Sequence, residues 1–232
     1  MSDRFLIPWA GLGTGGHVAL DFANTLDWRL RARPVETLVT FSDLLRWAWS
    51  AALIEGHGAR ALRAWGEAHP RRAAAALAGA VQVREAIAVL CAARVAGRAL
   101  PGGALEEIER GARSAWQARA LRPSGGGAAW TWREPDPAPE RPAQAVALEA
   151  VRLVTSSRFE RVRQCGDAEC GWFFLDTSRN MTRRWCSMES CGNRNKARRF
   201  YRREAARRTR PGLRDGRILP PASGKIRRGG RP

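Results

Sequence analysis

Four of the five cysteines limit what this chain can fold into more than any other feature. Cys165, Cys170, Cys186 and Cys191 form a C-x4-C pair, a 15-residue gap and a second C-x4-C pair. The first residues hold no apolar run of signal-peptide length, which disfavours disulfides, so paired cysteines at short spacing point to a metal. Four thiolates suit tetrahedral Zn²⁺, with Zn–S near ~2.3 Å and no position left for water or substrate. One structural zinc ion is therefore expected, although an iron–sulfur centre takes the same ligands and spacing leaves it open. So short a segment cannot bury a core of its own, and metal binding would supply much of its folding energy. Cys91 stands apart in an alanine-rich stretch and reads as a small buried hydrophobe.

The residues around the pairs suggest a small fold. Trp172-Phe173-Phe174-Leu175 alternates like a strand, 176–181 would make the return turn, and helix propensity rises from Asn193 to Arg208. The expected order is a cysteine knuckle, a β-hairpin and a helix whose first turn carries the second pair, a treble-clef-like finger. On that helix Ala197, Phe200 and Ala205 are expected inward, with Tyr201 at the margin. Arg194, Arg198 and Arg202 recur at i, i+4, i+8, and Asn195, Arg199 and Arg203 form the adjacent stripe.

Charge points the same way. Residues 158–232 carry 21 basic and 7 acidic side chains, against 19 and 15 in residues 1–157, within a total of +18. Arginine supplies 38 of the 40 basic residues, as a GC-rich coding sequence would favour, but such a bias does not remove acidic residues from one third of a chain. A local basic excess marks a polyanion partner, most often nucleic acid. Arg can bond guanine edges and Asn adenine from a helix in the major groove. The candidate nucleic-acid contacts are Asn193, Arg194, Asn195, Lys196, Arg198, Arg199, Arg202 and Arg203. The plainer alternatives are phosphate contacts that read no sequence, or arginines that offset the negative charge of a four-thiolate zinc. Duplex DNA is the expected partner, and an RNA- or ribosome-associated protein using the same finger and tail is the alternative. Two copies would lengthen the few bases one short helix reads, so a homodimer is also considered.

Residues 1–157 read as a mostly α domain with a small β element, 158–208 as the finger, and 209–232 as a disordered basic tail. Helices are expected over 41–54 (capped by Ser42), 59–69, 71–96, 104–120 and 143–156. A hairpin is expected about Gly125–Gly127, with Trp130 and Trp132 on one face, and 135–142 is a linker. Segment 17–29 mixes helical and strand spacing. Gly11-Leu-Gly-Thr-Gly-Gly16 matches GxGxxG but lacks the flanking strand and βαβ unit, so it reads as a glycine-rich turn. Asp21, Asn24, Asp27 and Arg29 stand beside Phe22 and Trp28, either as a polar pocket for an unknown small-molecule effector or as helix caps and turn formers.

His17, His57 and His69 have no metal spacing, residues 158–232 hold no histidine, and no nucleophile motif appears, so no enzyme is expected. The longest uncharged apolar runs, 73–83 and 86–93, are separated by Arg84 and Glu85, so no membrane span is expected. A cytoplasmic protein, nucleoid-associated when bound, is the expectation.

Cys191-Gly192-Asn193-Arg194, followed by Lys196, Arg198, Arg199, Phe200 and Tyr201, resembles the CGNR-type zinc finger. Upstream, Gly16-His-Val-Ala-Leu-Asp-Phe-Ala-Asn-Thr-Leu26 and 44–53 look like the ABATE domain that usually precedes that finger. The resemblance implies a bacterial stress-linked transcription regulator with zinc on Cys165, Cys170, Cys186 and Cys191.

Overall fold

The computed structural model describes residues 7–133 and 137–208. The expected tail, 209–232, and part of the linker lie outside the described residues. The chain divides into two compact units, one running to Asn193 and one starting at Arg194.

The ambiguous segment 17–29 resolves into both structures its spacing suggested. α1 (Val18–Ala23) opens with the His17 ring accepting from the Ala19 N–H, and Asn24 ends it. β1 (Leu26–Asp27) then pairs antiparallel with β2 (Val35–Glu36), placing Leu26 opposite Glu36. α2 (Phe41–Ser50) starts one residue after Thr40, not at the expected Ser42 cap. A capping box needs a partner three residues on: Thr40 has Asp43, whereas Ser42 has Leu45. The Thr40 hydroxyl accepts from the Asp43 N–H, and the Asp43 carboxylate accepts from the Thr40 N–H at 2.8 Å.

α3 (Gly56–Ala68), α4 (Pro70–Val95) and α5 (Gly102–Gln117) follow, and α3 begins three residues before the expected 59, at Gly56. Pro70 occupies the first turn of α4, where its missing N–H has no intrahelical role. The expected hairpin is β3 (Arg119–Ser124) with β4 (Gly127–Trp132). Gly125 and Gly126 both take positive φ, +51° and +79°, the two-residue turn that matches strand twist. α6 (Arg141–Val154) completes the helical body.

α4 lies at the centre. Its Ala80, Val83, Ile87 and Leu90 share one core with Leu20 and Phe22 of α1, Leu44 and Trp47 of α2, and Val146 of α6. Small residues let the helices close: a Cβ on Gly111 of α5 would stand 2.7 Å from the Ala147 Cβ of α6. α4 is long and apolar enough to cross a bilayer by length and composition alone. Midway along it, however, Arg84 is only 2 % exposed and bonds Glu36 at 2.6 and 2.7 Å and Glu85 at 2.8 Å. Burial opposes the Arg84 charge, but Glu36 and then Glu85 outweigh it and raise its pKa.

Past a 3₁₀ turn (Ser157–Arg161), β5 (Val162–Gln164) pairs antiparallel with β6 (Phe173–Leu175). This hairpin encloses the first cysteine pair, whereas the sequence pattern placed a hairpin between the two pairs. The return strand does not form because Asp176, fully buried, curls the chain onto itself. Its carboxylate accepts from the Ser178 N–H and hydroxyl and from the Arg183 N–H. Burial raises the Asp176 pKa, but those bonds outweigh it and hold it below the usual carboxylate range. The stability it adds is therefore present above the ordinary carboxylate pKa and lost as pH falls through the lowered folded value.

Val162, Phe173 and Leu175 belong to the same core as α1 and α4. The second unit is described through α7 (Asn193–Arg208), whose residues from Arg194 lie in it.

Candidate metal centre

The knuckle is shaped by backbone bonds around the first pair. The Cys165 N–H donates to the Trp172 carbonyl at 2.8 Å, and the Gly166 N–H to that of Arg184 at 2.8 Å, drawing the 184–186 segment alongside. A π-turn (Met188–Gly192), capped by the Ser187 side chain, carries Cys191 up to α7.

The four sulfurs converge as the spacing predicts. All lie within 4.8 Å of one another and all four residues are buried. Cys170 and Cys186 Sγ are 3.7 Å apart, and Cys186 and Cys191 Sγ 3.6 Å. A tetrahedron with metal–sulfur bonds of ~2.3 Å has edges of about 3.8 Å, so the cluster could hold one zinc ion with only small adjustments. Thiols this close cannot all ionise without a cation. The Cys165 pKa falls because Cys170 and Cys186 donate to its sulfur, and those two rise chiefly through the same contact. The Asp167 and Cys186 N–H groups also support Cys165, and the Trp172 N–H supports Cys170, as amides support bound thiolates. Cys91 is separate: burial pushes its thiol up to about 12, as for an inert core residue.

Two of the N-terminal candidates, Asn24 and Arg29, bond the hairpin around the first cysteine pair, and Asp21 braces the glycine loop. Asn24 donates to the Phe173 carbonyl at 2.9 Å and accepts from the Phe173 N–H at 2.8 Å, both buried, across 149 residues of chain. Asp21 accepts from the Gly13 and Gly15 N–H groups at 2.9 and 2.7 Å. The glycine loop thus cradles a carboxylate of its own chain, as a turn should. Burial raises the Asp21 pKa in spite of those two bonds. Arg29 pairs with Glu85 at 2.6 Å and with the Ala23 carbonyl, while its own N–H donates to the Cys170 carbonyl at 3.0 Å.

Asp21, Asn24 and Asp27 also line one cavity of about 510 Å³, and Arg29 is not among its walls. No local pattern marks Trp9, Arg46, Trp47 and Trp172, which also line it, because they are scattered along the chain. Three N–H groups on those walls, Arg46 Nε, Trp47 Nε1 and Trp172 Nε1, are buried and have no hydrogen-bond partner among the described residues. Each such orphan costs about 1–3 kcal/mol.

On α7, Asn193, Lys196, Arg199, Arg202 and Arg203 are exposed, and Arg194, Asn195 and Arg198 are half-buried. Phe200 and Tyr201, expected in or at the edge of the finger core, are 60 % and 70 % exposed, and Ala197 and Ala205 are exposed too.

A four-thiolate knuckle, a short hairpin around it and an arginine-rich helix after it, carried by a helical body, define a zinc-finger protein. Residues 161–204 match the family described as CGNR zinc finger, and residues 16–157 match ABATE, described as "Putative stress-induced transcription regulator". The chain belongs to the ABATE family and bears a CGNR finger. No curated protein matches it.

Proposed function

We infer that this protein is a zinc-dependent regulator that binds duplex DNA through α7, with the helical body sensing a signal or holding two copies together. The observation that carries the reading is α7 itself, with eight basic residues against one acidic over 16 residues. At 1.5 Å per residue it is about 24 Å long, and a helix fits the B-DNA major groove. Five of the eight candidate contacts are exposed. Zinc holds the chain that leads into this helix, and four thiolates leave no open coordination position, so the protein acts as a binder and not an enzyme. Cytoplasm and nucleoid are the corresponding locations.

A second reading has its own observation. Phe200 and Tyr201, ring centroids 5.7 Å apart, stand exposed on the same basic helix. Aromatics beside arginines stack on unpaired bases, which favours an RNA or ribosomal partner.

Selection of the zinc-loaded chain against random duplex DNA and random RNA, washed at two salt concentrations with Cys186→Ser in parallel, separates the two. The expected result is an enriched duplex motif that survives the higher salt and vanishes in the variant. Arg199→Ala should then lower the salt slope by about one contact, near ~0.9 log units per decade of salt. Enrichment in RNA alone, abolished by Tyr201→Ala, replaces the reading with the second. Binding without a motif leaves a phosphate-docking finger.

A further inference from the structure

We propose that the cavity between α1, α2 and the knuckle binds a neutral, planar heterocycle bearing a ring carbonyl and an N–H, the chemical class of the nucleobases. Its walls come from the segment before α1, from α1, from Asp27 of β1, from α2, and from Trp172 between Cys170 and β6, all within the first compact unit. At about 510 Å³ it lies within the range of small-molecule sites.

The walls specify the ligand. Trp9, Trp47 and Trp172 supply flat apolar surface, and the Arg46 guanidinium lies over the Trp9 ring, 4.7 Å from its centroid. Trp172 is held in place, since a Cβ on Gly11 would meet its ring at 3.2 Å. Arg46 Nε, Trp47 Nε1 and Trp172 Nε1, on three residues that line the cavity, lack acceptors among the described residues, and three such donors call for a carbonyl. An anion is disfavoured, because Asp21 and Asp27 line the same space and Arg46 already faces Asp43 at 3.7 Å. Among the described residues Asp27 uses Oδ1 alone, on the Trp28 N–H at 2.7 Å, which leaves Oδ2 for a ligand N–H. The three orphan nitrogens are closed to water, so binding as proposed requires the rim, residues 8–12, to shift.

Trp172 ties the site to the metal centre: its carbonyl accepts from the Cys165 N–H, and its own N–H supports the Cys170 sulfur. A ligand on the indole therefore bears directly on the knuckle. This deepens the sensing role proposed above and rests on it for its meaning, but binding is measured without nucleic acid, so the two readings can fail separately.

The test uses the full zinc-loaded chain with uracil, thymine and hypoxanthine as probes, and benzoate and indole as controls, followed by calorimetry and ligand-observed NMR. At least one carbonyl heterocycle is expected to bind while benzoate and indole do not. Trp172→Phe, which keeps a ring and removes the N–H, should weaken binding about tenfold with zinc content unchanged. Arg46→Met, at the cavity margin, gives a second reading if Trp172→Phe folds poorly, with the same tenfold loss expected. The proposal is overturned if no heterocycle binds up to its solubility, if benzoate or indole binds as well, or if affinity is unchanged in both variants.

Discussion

Stripping zinc from the full chain is expected to unfold α1 and the glycine loop together with the finger. Structural zinc contributes about 10–16 kcal/mol to finger peptides at neutral pH, comparable with the whole stability of a typical domain. In this chain that energy is not confined to the knuckle. The hairpin enclosing Cys165 and Cys170 buries Val162, Phe173 and Leu175 in the main core at 0, 1 and 1 % exposure. The Leu175 N–H donates to the Gly15 carbonyl at 2.8 Å, and the Arg29 and Leu30 N–H groups to the Cys170 and Glu169 carbonyls at 3.0 and 3.3 Å. When the thiolates lose their cation the knuckle opens, and each of these partners is left unpaired in the body. Hydrogen exchange after chelation should therefore show lost protection over residues 11–30 and 162–193, with α4, α5 and α6 retained, and Cys186→Ser should reproduce the pattern. Since the thiols must ionise to bind metal, zinc release should also grow easier as pH falls. Protection of α1 that survives complete metal removal, verified by elemental analysis, would falsify this coupling.

That coupling marks where sequence reading succeeded and where it stopped. The four ligands were legible because tetrahedral thiolate coordination imposes a spacing that nothing else in the chain imitates. The helices found at 41–50 and 70–95 were legible, the first over a shorter span than the expected 41–54, because an apolar stripe or an alanine run with helix-stop signals is a local property. The β3–β4 hairpin was legible because its turn needs glycines at positive φ. What stayed hidden is what joins distant segments. Nothing near Asn24 announces a partner 149 residues away, and β5 carries no pattern marking it as the strand that pairs with β6. Asp176 read as a turn residue, yet its burial and its three accepted bonds are what prevent a return strand. The exposed Phe200 and Tyr201 reversed an expectation drawn from apolarity alone, in a helix whose residues are otherwise almost all polar or small.

Asn24→Ala is expected to destabilise the zinc-loaded protein by about 2–6 kcal/mol, a large effect for a side chain that touches neither metal nor the expected nucleic acid. The amide copies one rung of a β-ladder, giving to the Phe173 carbonyl and taking from its N–H. Alanine leaves both backbone groups buried and unpaired, at about 1–3 kcal/mol each. Asn24→Asp should be at least as harmful, because its carboxylate keeps an acceptor for the N–H but faces the carbonyl with a second oxygen and a buried charge. Denaturant midpoints with zinc bound measure the loss, and the same midpoints after chelation complete a thermodynamic cycle. If Asn24 works by docking the knuckle onto α1, its effect should shrink sharply in the metal-free protein, where β6 has already let go. An Asn24→Ala penalty of equal size with and without zinc would mean that Asn24 stabilises α1 alone, and the route from metal centre to helical body would have to run through the Gly15 and Arg29 backbone contacts instead.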